Sequence, residues 1–399
     1  MKKIVQKFGG TSVATKEARE KVVSKIVSLK EEEGVIPVVV VSAIGRKGSP
    51  YATDTLLQFA QEEGGDLDAR HSDLLLSCGE IISAVILAHL LKKKGHEAIA
   101  LTGAQAGIFT DGMYQNAELM EVKPQMILNN IERGVIPVIA GFQGGTYEGE
   151  VTTLGRGGSD TTAAIIGAAL QADRIEIFTD VDGIMTADPR VCDKAKIISS
   201  LTYEEIFQMA DSGAKVIHPK AVQHAMLANV PILIKNTFSE SKGTYIGTKG
   251  PVLQEEVKKS ISTGIAHKKD RVQFKVNNKS KQDSLLEVIA QKGISIDLIN
   301  IFPTHKIFTV DDQYKSILEE YFQQENYSYD MIEGCCKVTI IGAGMTRVPG
   351  VMSKLIQALA SKKIEILQTA DSLTTIACLI KEDEVIEALE ALHDVFDLS

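Results

Sequence analysis

The sequence predicts an α/β protein: a three-layer domain with a mostly parallel central sheet, followed by two small α+β (βαββαβ) modules. Strand and helix signals alternate through residues 4–234, and the order strand, helix, strand, strand, helix occurs twice after residue 264. Such alternation is typical of a parallel sheet covered by helices on both faces. A doubled order indicates a repeated unit whose sheet needs a partner surface. The expected boundaries are residues 1–240 for the first domain, 241–263 for a linker, and 264–334 and 335–399 for the modules.

The strands of the first domain are short apolar runs, often β-branched. Gly-Val-Ile-Pro-Val occurs at residues 34–38 and again at 134–138, and each copy leads into a buried strand. Between the strands, apolar residues recur at helical spacing, as at Val22, Val23 and Ile26. The predicted strands are residues 4–7, 35–41, 97–101, 135–140, 175–179 and 231–234, and the main predicted helices are 17–30, 73–93, 161–170, 203–209 and 219–228.

The same patterns of apolar residues predict the strands and helices of the two modules. In the first, strands are predicted at residues 271–276, 295–299 and 307–310, with helices at 282–292 and 312–324. In the second, strands are predicted at residues 337–341, 365–368 and 374–379, with helices at 351–362 and 382–392.

Composition excludes several classes of protein. The formal net charge of -9 argues against a nucleic-acid partner, because neutralising phosphates requires a basic face. Five scattered cysteines without a Cys-x-x-Cys pair indicate neither a disulfide framework nor a zinc site. We expect reduced thiols, with Cys78 and Cys378 in cores.

Nothing in the sequence predicts a membrane partner. The N-terminus lacks the features of a signal peptide. The most apolar helical run, residues 81–91, is interrupted by Ser83 and His89 and is too short to span a bilayer. We expect a soluble cytoplasmic protein.

Polar and glycine-rich loops follow several predicted strands. Gly9-Gly10, Ser42-Ala43 and Thr179-Asp180 each come directly after one. In open parallel sheets, ligands bind beyond the carboxyl ends of the strands. These loops therefore predict a binding cleft at one edge of the sheet.

Two of the loops, residues 7–12 and 155–160, are glycine-rich, and each precedes a probable helix. A helix start turns backbone N–H groups and a positive dipole end toward an anion. Each loop also carries a cation, Lys7 in one and Arg156 in the other. Two such loops suit phosphoryl transfer to an acidic acceptor, which indicates a small-molecule kinase.

Five ordered motifs carry a resemblance to a known family: residues 7–12, 42–43, 77–80, 155–160 and 178–190. Together they resemble the aspartate kinases, which have the amino-acid kinase fold, and the tail resembles the paired ACT regulatory modules of that family. The resemblance implies transfer of the ATP γ-phosphate to the side-chain carboxylate of L-aspartate, giving 4-phospho-L-aspartate. This is the first step toward lysine, threonine and methionine. An ionised carboxylate needs no general base, so positioning and cationic clamping would supply most of the catalysis.

The resemblance implies a role for each matching residue. The catalytic residues that the resemblance implies are Lys7, Asp160 and Lys215. Its aspartate-binding residues are Ser42, Thr53, Glu80, Arg156 and Ser159. Its ATP-binding residues are Lys7, Phe8, Gly9, Gly10, Thr179, Asp180, Met185, Arg190, Lys215 and Val216. Mg²⁺ is implied as the partner of ATP, and the sequence shows no metal cage of its own. Residues 46–51 are an insertion relative to many relatives, and His218 is expected to cap or pack.

The tail implies regulation by an amino acid: lysine, threonine or diaminopimelate. The effector-binding residues implied by the resemblance are Asp297, Asn300, Met345, Thr346, Val348, Pro349, Gly350 and Val351. ACT modules pair side by side, so we expect a homo-oligomer, a dimer at least.

Two alternatives remain open. One is another amino-acid kinase, for example one that phosphorylates glutamate; Glu80 and Arg156 in their motifs favour aspartate. The other is a non-catalytic amino-acid sensor built on a dead kinase domain, against which the intact Lys7, Asp160 and Lys215 speak.

Overall fold

The structure is a computed structural model that describes residues 2–214, 216–248, 262–278, 284–345 and 348–398. These residues form two compact units. The first unit contains Met1–Ile184, Ile197–Ala210 and Lys215–Gln254, and the second contains Met185–Lys196, Asp211–Ala214 and Glu255–Ser399, each as far as it is described. The short segment Met185–Lys196 thus belongs to the second unit, although it lies in sequence between two parts of the first unit.

The first unit is built on an eight-stranded sheet, and the parallel sheet predicted from sequence is confirmed. Its strands pair in the order β10-β12-β11-β9-β1-β2-β6-β3. All pairs are parallel except β11 with β12. A second sheet has the order β5-β4-β7-β8. The strands are β1 (Ile4–Phe8), β2 (Val38–Val41), β3 (Ala98–Leu101), β4 (Ile108–Thr110), β5 (Leu119–Val122), β6 (Ile136–Ala140), β7 (Gln143–Gly145), β8 (Val151–Thr153), β9 (Arg174–Thr179), β10 (Ser200–Leu201), β11 (Ile232–Asn236) and β12 (Thr244–Ile246).

Strands β2 and β6 are buried along their whole length, and β1 and β9 along most of theirs, because helices cover both faces of the sheet. At its centre, the Phe8 and Phe178 rings stack with centroids 4.7 Å apart, which holds the ends of β1 and β9 together. The helices of this unit are α1 (Lys16–Glu33), α2 (Thr53–Gly64), α3 (Ala69–Lys93), α4 (Gln125–Glu132), α5 (Gly158–Leu170), α6 (Tyr203–Asp211) and α7 (Pro219–Ala228).

Helix α3 is longer than predicted and begins four residues earlier. It starts at Ala69 because the Asp68 side chain accepts a hydrogen bond from the His71 N–H at 3.0 Å, which caps the helix. The 25-residue helix is long and apolar enough to cross a membrane by length and composition, but half of its most apolar window is buried in this unit. Cys78 lies on its exposed face, so the expectation of a core cysteine was wrong there, whereas Cys378 is buried as expected.

The second unit has one six-stranded antiparallel sheet, in the order β14-β15-β13-β16-β18-β17. The predicted doubling of strand, helix, strand, strand, helix is present. Both repeats share the long strands β13 and β16, which pair with each other along most of their length. The elements are β13 (Gly264–Asn277), α8 (Leu285–Gln291), β14 (Leu298–Ile301), β15 (His305–Asp311), α9 (Lys315–Gln324), β16 (Tyr329–Ile341), α10 (Val351–Ser361), β17 (Gln368–Asp371), β18 (Thr375–Lys381) and α11 (Val385–Val395).

Two strands of this unit begin three residues later than the sequence predicts. The predicted strands at 295–299 and 365–368 correspond to β14 and β17. Each preceding helix ends in a turn with positive φ, at Gly293 and at Lys363. The next residue, Ile294 or Ile364, is buried in a core rather than paired in the sheet. The chain therefore has to leave the core before it reaches the sheet edge.

Candidate active site

The carboxyl ends of the parallel strands surround a cleft of about 900 Å³ in the first unit. Motifs that lie far apart in the chain meet there. The predicted site residues that line it are Lys7, Gly10, Ser42, Thr53, Glu80, Arg156, Ser159 and Asp160.

Lys7 and Asp160 form an ion pair in this cleft. Lys7 is the penultimate residue of β1, and Asp160 lies in the first turn of α5. Lys7 Nζ is 2.7 Å from Asp160 Oδ1, and both side chains are mostly shielded from solvent. Each of the two charges is therefore balanced by the other. A phosphate that binds here would meet a cation already held in place.

The glycine pair after β1 brings backbone close to the cleft. A Cβ atom on Gly10 would lie 2.4 Å from the carbonyl oxygen of Gly45, so only glycine fits. Gly9 donates its N–H to the Phe178 carbonyl at 3.2 Å. A four-residue 3₁₀ turn (Gly10–Val13) follows the glycine pair, so the pair does not itself open the helix. Helix α1 begins after the Thr15 cap at Lys16, one residue before the predicted start.

The second glycine-rich loop leads directly into α5, as predicted. Gly155 and Gly157 both have positive φ, and the Gly157 backbone lies against the His218 ring. His218 caps α7 by accepting a hydrogen bond from the Lys220 N–H, which confirms the expected capping role. Arg156 is exposed on the cleft side of this loop.

Glu80 is a buried carboxyl group at the cleft. It lies on α3 and is only 3% exposed. Burial raises the pKa of Glu80 to about 8, although the Ala43 N–H, 3.0 Å from Oε1, favours the ionised form. Among the described residues, Oε2 has no hydrogen-bond partner. A buried carboxyl group with a free oxygen is suited to a cation supplied by a ligand.

Ser42 and Thr53 come from the segment that faces α3. The Ser42 N–H donates to the Phe8 carbonyl at 3.1 Å, which joins the ends of β1 and β2. Thr53 begins α2, a helix without a buried residue that lies along one side of the cleft. Gly79 on α3 lets this segment approach closely, since a Cβ there would lie 2.8 Å from the Tyr51 carbonyl oxygen.

The remaining predicted nucleotide-binding residues belong to both units, and each unit is described by itself. Thr179 is the last residue of β9, whose Phe178 carbonyl contacts Gly9, and Asp180 follows it. Val216 is half-buried in the first unit, and Lys215 lies outside the described residues.

Met185 and Arg190 belong to the segment Met185–Lys196 of the second unit. Within that unit, Thr186 accepts a backbone hydrogen bond from Ile265 at 2.7 Å, and its Oγ1 is 2.9 Å from His393 Nε2. Arg190 pairs with Asp188 at 2.7 Å. The contacts that Thr186 makes with Ile265 and His393 therefore lie within the second unit.

The predicted effector residues fall into two places. Met345, Val348, Gly350 and Val351 line a cavity of about 520 Å³ in the second unit, together with the turn at residues 371–373. Pro349 is exposed beside it, and Thr346 lies outside the described residues. Asp297 and Asn300 are elsewhere. Asp297 pairs with Arg271 and Lys337, and Asn300 accepts a hydrogen bond from Gln368 at 2.8 Å.

Sequence reasoning missed Asp73. This α3 residue is fully buried and accepts hydrogen bonds from the Gln115 N–H (2.9 Å), the Thr153 N–H (2.8 Å) and the Thr153 hydroxyl (2.7 Å). Thr153 ends β8, two residues before the loop that carries Arg156. The available signal was an aspartate inside an apolar helix, but a predicted helix start at residue 73 makes it look like an ordinary first-turn residue.

Replacing Asp73 by alanine is expected to destabilise the fold by about 3 kcal/mol, because two backbone N–H groups and a hydroxyl lose their buried acceptor. Asp73→Asn is the matched control. An amide oxygen can still accept from both N–H groups while the NH₂ donates to Thr153, so the loss should be about 1 kcal/mol. Urea unfolding measures both. Equal stability of the two variants would show that the hydrogen bonds to Asp73 do not fix the loop.

The family of the chain is identified by its similarity to known proteins. Residues 2–236 match the amino acid kinase family, and residues 331–394 match the ACT domain. Aspartokinase 1 of Bacillus subtilis (strain 168) is 46% identical over 406 residues, covering 100% of both chains. The chain belongs to the aspartokinases. Aspartokinase 2 of the same organism is 34% identical and covers 99% of this chain and 98% of its own.

Solved aspartokinases share the architecture. The Clostridium acetobutylicum aspartate kinase superposes with a TM-score of 0.78 at 25% identity, covering 99% of this chain and 100% of its own. Escherichia coli aspartokinase III, solved with aspartate and ADP, gives a TM-score of 0.80 at 24% identity, covering 99% of each chain, and shows the common fold. The predicted fold class and aspartate kinase family are confirmed, and the chain is a kinase of this family.

Proposed function

We propose that the cleft binds MgATP and L-aspartate together and transfers the γ-phosphate to the aspartate side chain. The observation that carries this proposal is Glu80, a buried carboxyl group with one free oxygen in the same cleft as the Lys7–Asp160 pair. The first feature suits the ammonium group of an amino acid, and the second suits the phosphates of the donor.

In the proposed reaction, a side-chain carboxylate oxygen of aspartate attacks the γ-phosphorus. The bond to the bridging oxygen breaks, and its electron pair leaves with ADP. No proton has to move, because the nucleophile is already ionised at neutral pH. Lys7 and the Gly9 and Gly10 backbone would hold the phosphates, with Asp160 orienting Lys7. Mg²⁺ would enter as the MgATP complex and neutralise phosphate charge.

Of the remaining predicted site residues, some would bind aspartate and the others would bind ATP. Arg156 would bind the α-carboxylate of aspartate through its planar guanidinium, with Ser159 as a further donor. Ser42 and Thr53 would border the side chain. The proposed nucleotide contacts of the first unit beyond the glycine pair are Thr179, Asp180, Lys215 and Val216.

The direct test is trapping of the acyl phosphate by hydroxylamine. Purified protein with MgATP should form aspartyl hydroxamate, and should form far less product with glutamate. Product from glutamate alone would identify another amino-acid kinase. No product from either, with amino-acid binding retained, would support the sensor alternative.

We propose that the cavity of the second unit binds an amino-acid effector. Backbone at Gly350 and apolar side chains such as Val351 and Met345 line it, beside Asp371 and Ser372. Such a lining offers polar groups for the charged part of an amino acid and apolar contact for its side chain. Adding lysine, threonine and diaminopimelate singly, and lysine with threonine, to the hydroxamate assay would identify the effector.

Val348→Glu is expected to weaken inhibition by that effector at least tenfold and to leave kcat unchanged, because a new carboxylate near Asp371 would repel the effector carboxylate. Val395→Glu is the matched control: Val395 is similarly exposed in the same unit, at 43% against 38%, and is away from the cavity. Inhibition curves of both variants are compared. An unchanged half-inhibitory concentration for Val348→Glu would place the effector elsewhere.

We further propose a cytoplasmic homo-oligomer, a dimer or larger. Edge strand β14 exposes Ile299 and Ile301, which would be covered by a second copy. Sedimentation of an Ile301→Lys variant against the unaltered protein would test this contact.

A further inference from the structure

Arg46 is a cleft residue to which the family motifs give no role. It lies in the segment between β2 and α2 and lines the same cleft as Lys7 and Asp160. One of its terminal nitrogens is 2.8 Å from Asp180 Oδ2, at the end of β9. The Arg46 side chain is 71% exposed, so the guanidinium is held by this carboxylate rather than by burial.

Hydrogen bonds hold the backbone around Arg46 close to the glycine pair, Gly9 and Gly10. The preceding residue, Gly45, donates its N–H to the Gly10 carbonyl at 3.0 Å. On the other side, the Ser49 N–H donates to the Arg46 carbonyl at 2.8 Å. Its backbone is therefore anchored one residue from the proposed phosphate loop, while its head group is free to change partners.

The charge balance of the cleft favours such a change. Lys7 is already paired with Asp160, yet the site would receive a triphosphate and an amino acid with two carboxylates in a chain of net charge -9. An exposed ion pair such as Arg46–Asp180 contributes little to stability, so exchanging its carboxylate for phosphate oxygens is inexpensive. A guanidinium also matches phosphate through two parallel hydrogen bonds.

We propose that Arg46 is a further catalytic residue, which leaves Asp180 and binds the β- and γ-phosphates of ATP. There it would stabilise the negative charge that develops as the carboxylate oxygen attacks the γ-phosphorus and the bridging P–O bond breaks toward ADP. This inference rests on the proposed placement of ATP at the glycine pair.

The test compares Arg46→Ala and Arg46→Lys with Arg70→Ala. Arg70 is an exposed arginine of the same unit, paired with Glu150 and outside the cleft, so it matches Arg46 in type and partner. Arg46→Ala should lower kcat about a hundredfold, Arg46→Lys about tenfold, and Arg70→Ala less than twofold. The KM for aspartate should stay within twofold. Millimolar guanidinium should restore part of the kcat of Arg46→Ala alone.

Binding of a non-hydrolysable ATP analogue separates this inference from the proposed function. Arg46→Ala should bind adenylyl imidodiphosphate about tenfold more weakly than the unaltered protein and bind AMP equally well, because AMP lacks the outer phosphates. That difference can be measured even if no hydroxamate forms. Equal affinity for the analogue, a kcat within threefold of the unaltered protein, or an equal loss in Arg70→Ala would overturn the role of Arg46.

Discussion

Replacing Lys7 by alanine is expected to lower kcat about a thousandfold, which corresponds to about 4 kcal/mol of transition-state stabilisation. The reason lies in the position of Lys7 at the end of β1, beside the glycine pair and mostly shielded from solvent. Charge that develops on the transferring phosphoryl group would be close to this cation. Because water is largely excluded there, the interaction is stronger than it would be at the surface.

Two companion variants separate catalysis from folding. Lys7→Arg keeps a cation opposite Asp160, so it should retain thermal stability while still losing at least tenfold in kcat, since the phosphate geometry changes. Lys3→Ala removes a cation just before the start of the same strand, where Nζ donates to the Leu170 carbonyl at 2.9 Å, and should leave kcat unchanged. Hydroxamate kinetics and melting temperatures give both readouts. A kcat within tenfold of the unaltered protein for Lys7→Ala would remove Lys7 from the phosphate site.

The convergence of the cleft follows from local sequence patterns. The β-branched runs before Ser42 and Gly141 can hardly be anything but buried parallel strands, and parallel strands end at one edge. The burial of Glu80 could likewise be predicted from the sequence. A carboxylate among apolar helix residues is either buried for a function or exposed on the polar face of the helix. The structure supports the first alternative at 3% exposure.

Features that depend on distant contacts could not be predicted in this way. Asp73 accepts a hydrogen bond from Thr153, which is 80 residues away in the sequence. No local sequence pattern predicts this contact. The segment Met185–Lys196 lies between two strands of the first unit, yet it makes its contacts with Ile265 and His393. Its assignment to the second unit therefore depends on tertiary contacts between segments that are far apart in sequence.

Aspartate binding is expected to release a proton below pH 8. Burial holds the pKa of Glu80 at about 8, so its carboxyl group is mostly protonated at pH 7. An ammonium ion beside it would favour the carboxylate and lower that pKa. Aspartate affinity should then increase between about pH 6 and 8 and level off above, by linkage. Titration calorimetry at pH 7 in buffers of different ionisation enthalpy measures the released proton.

Stability should show the opposite dependence on pH. The folded pKa lies above the ordinary value of 4.5, so between these values the unfolded chain has lost a proton that the folded chain keeps. The contribution is complete below pH 4.5, and the free energy of unfolding then falls by up to about 1.4 kcal/mol per pH unit until pH 8.

Glu80→Gln should remove both effects. Its unfolding free energy should lack this pH-dependent loss, while the KM for aspartate should increase at least a hundredfold because the ammonium group loses its counter-ion. Glu62→Gln, on the exposed helix α2, should behave like the unaltered protein in both measurements. Unchanged proton release in Glu80→Gln would assign the proton to another group. A flatter stability profile combined with weaker binding is what distinguishes a carboxyl group kept for a ligand from one kept for the fold. A structural, ion-paired glutamate would instead lose stability on this substitution at every pH above its pKa, where it is charged.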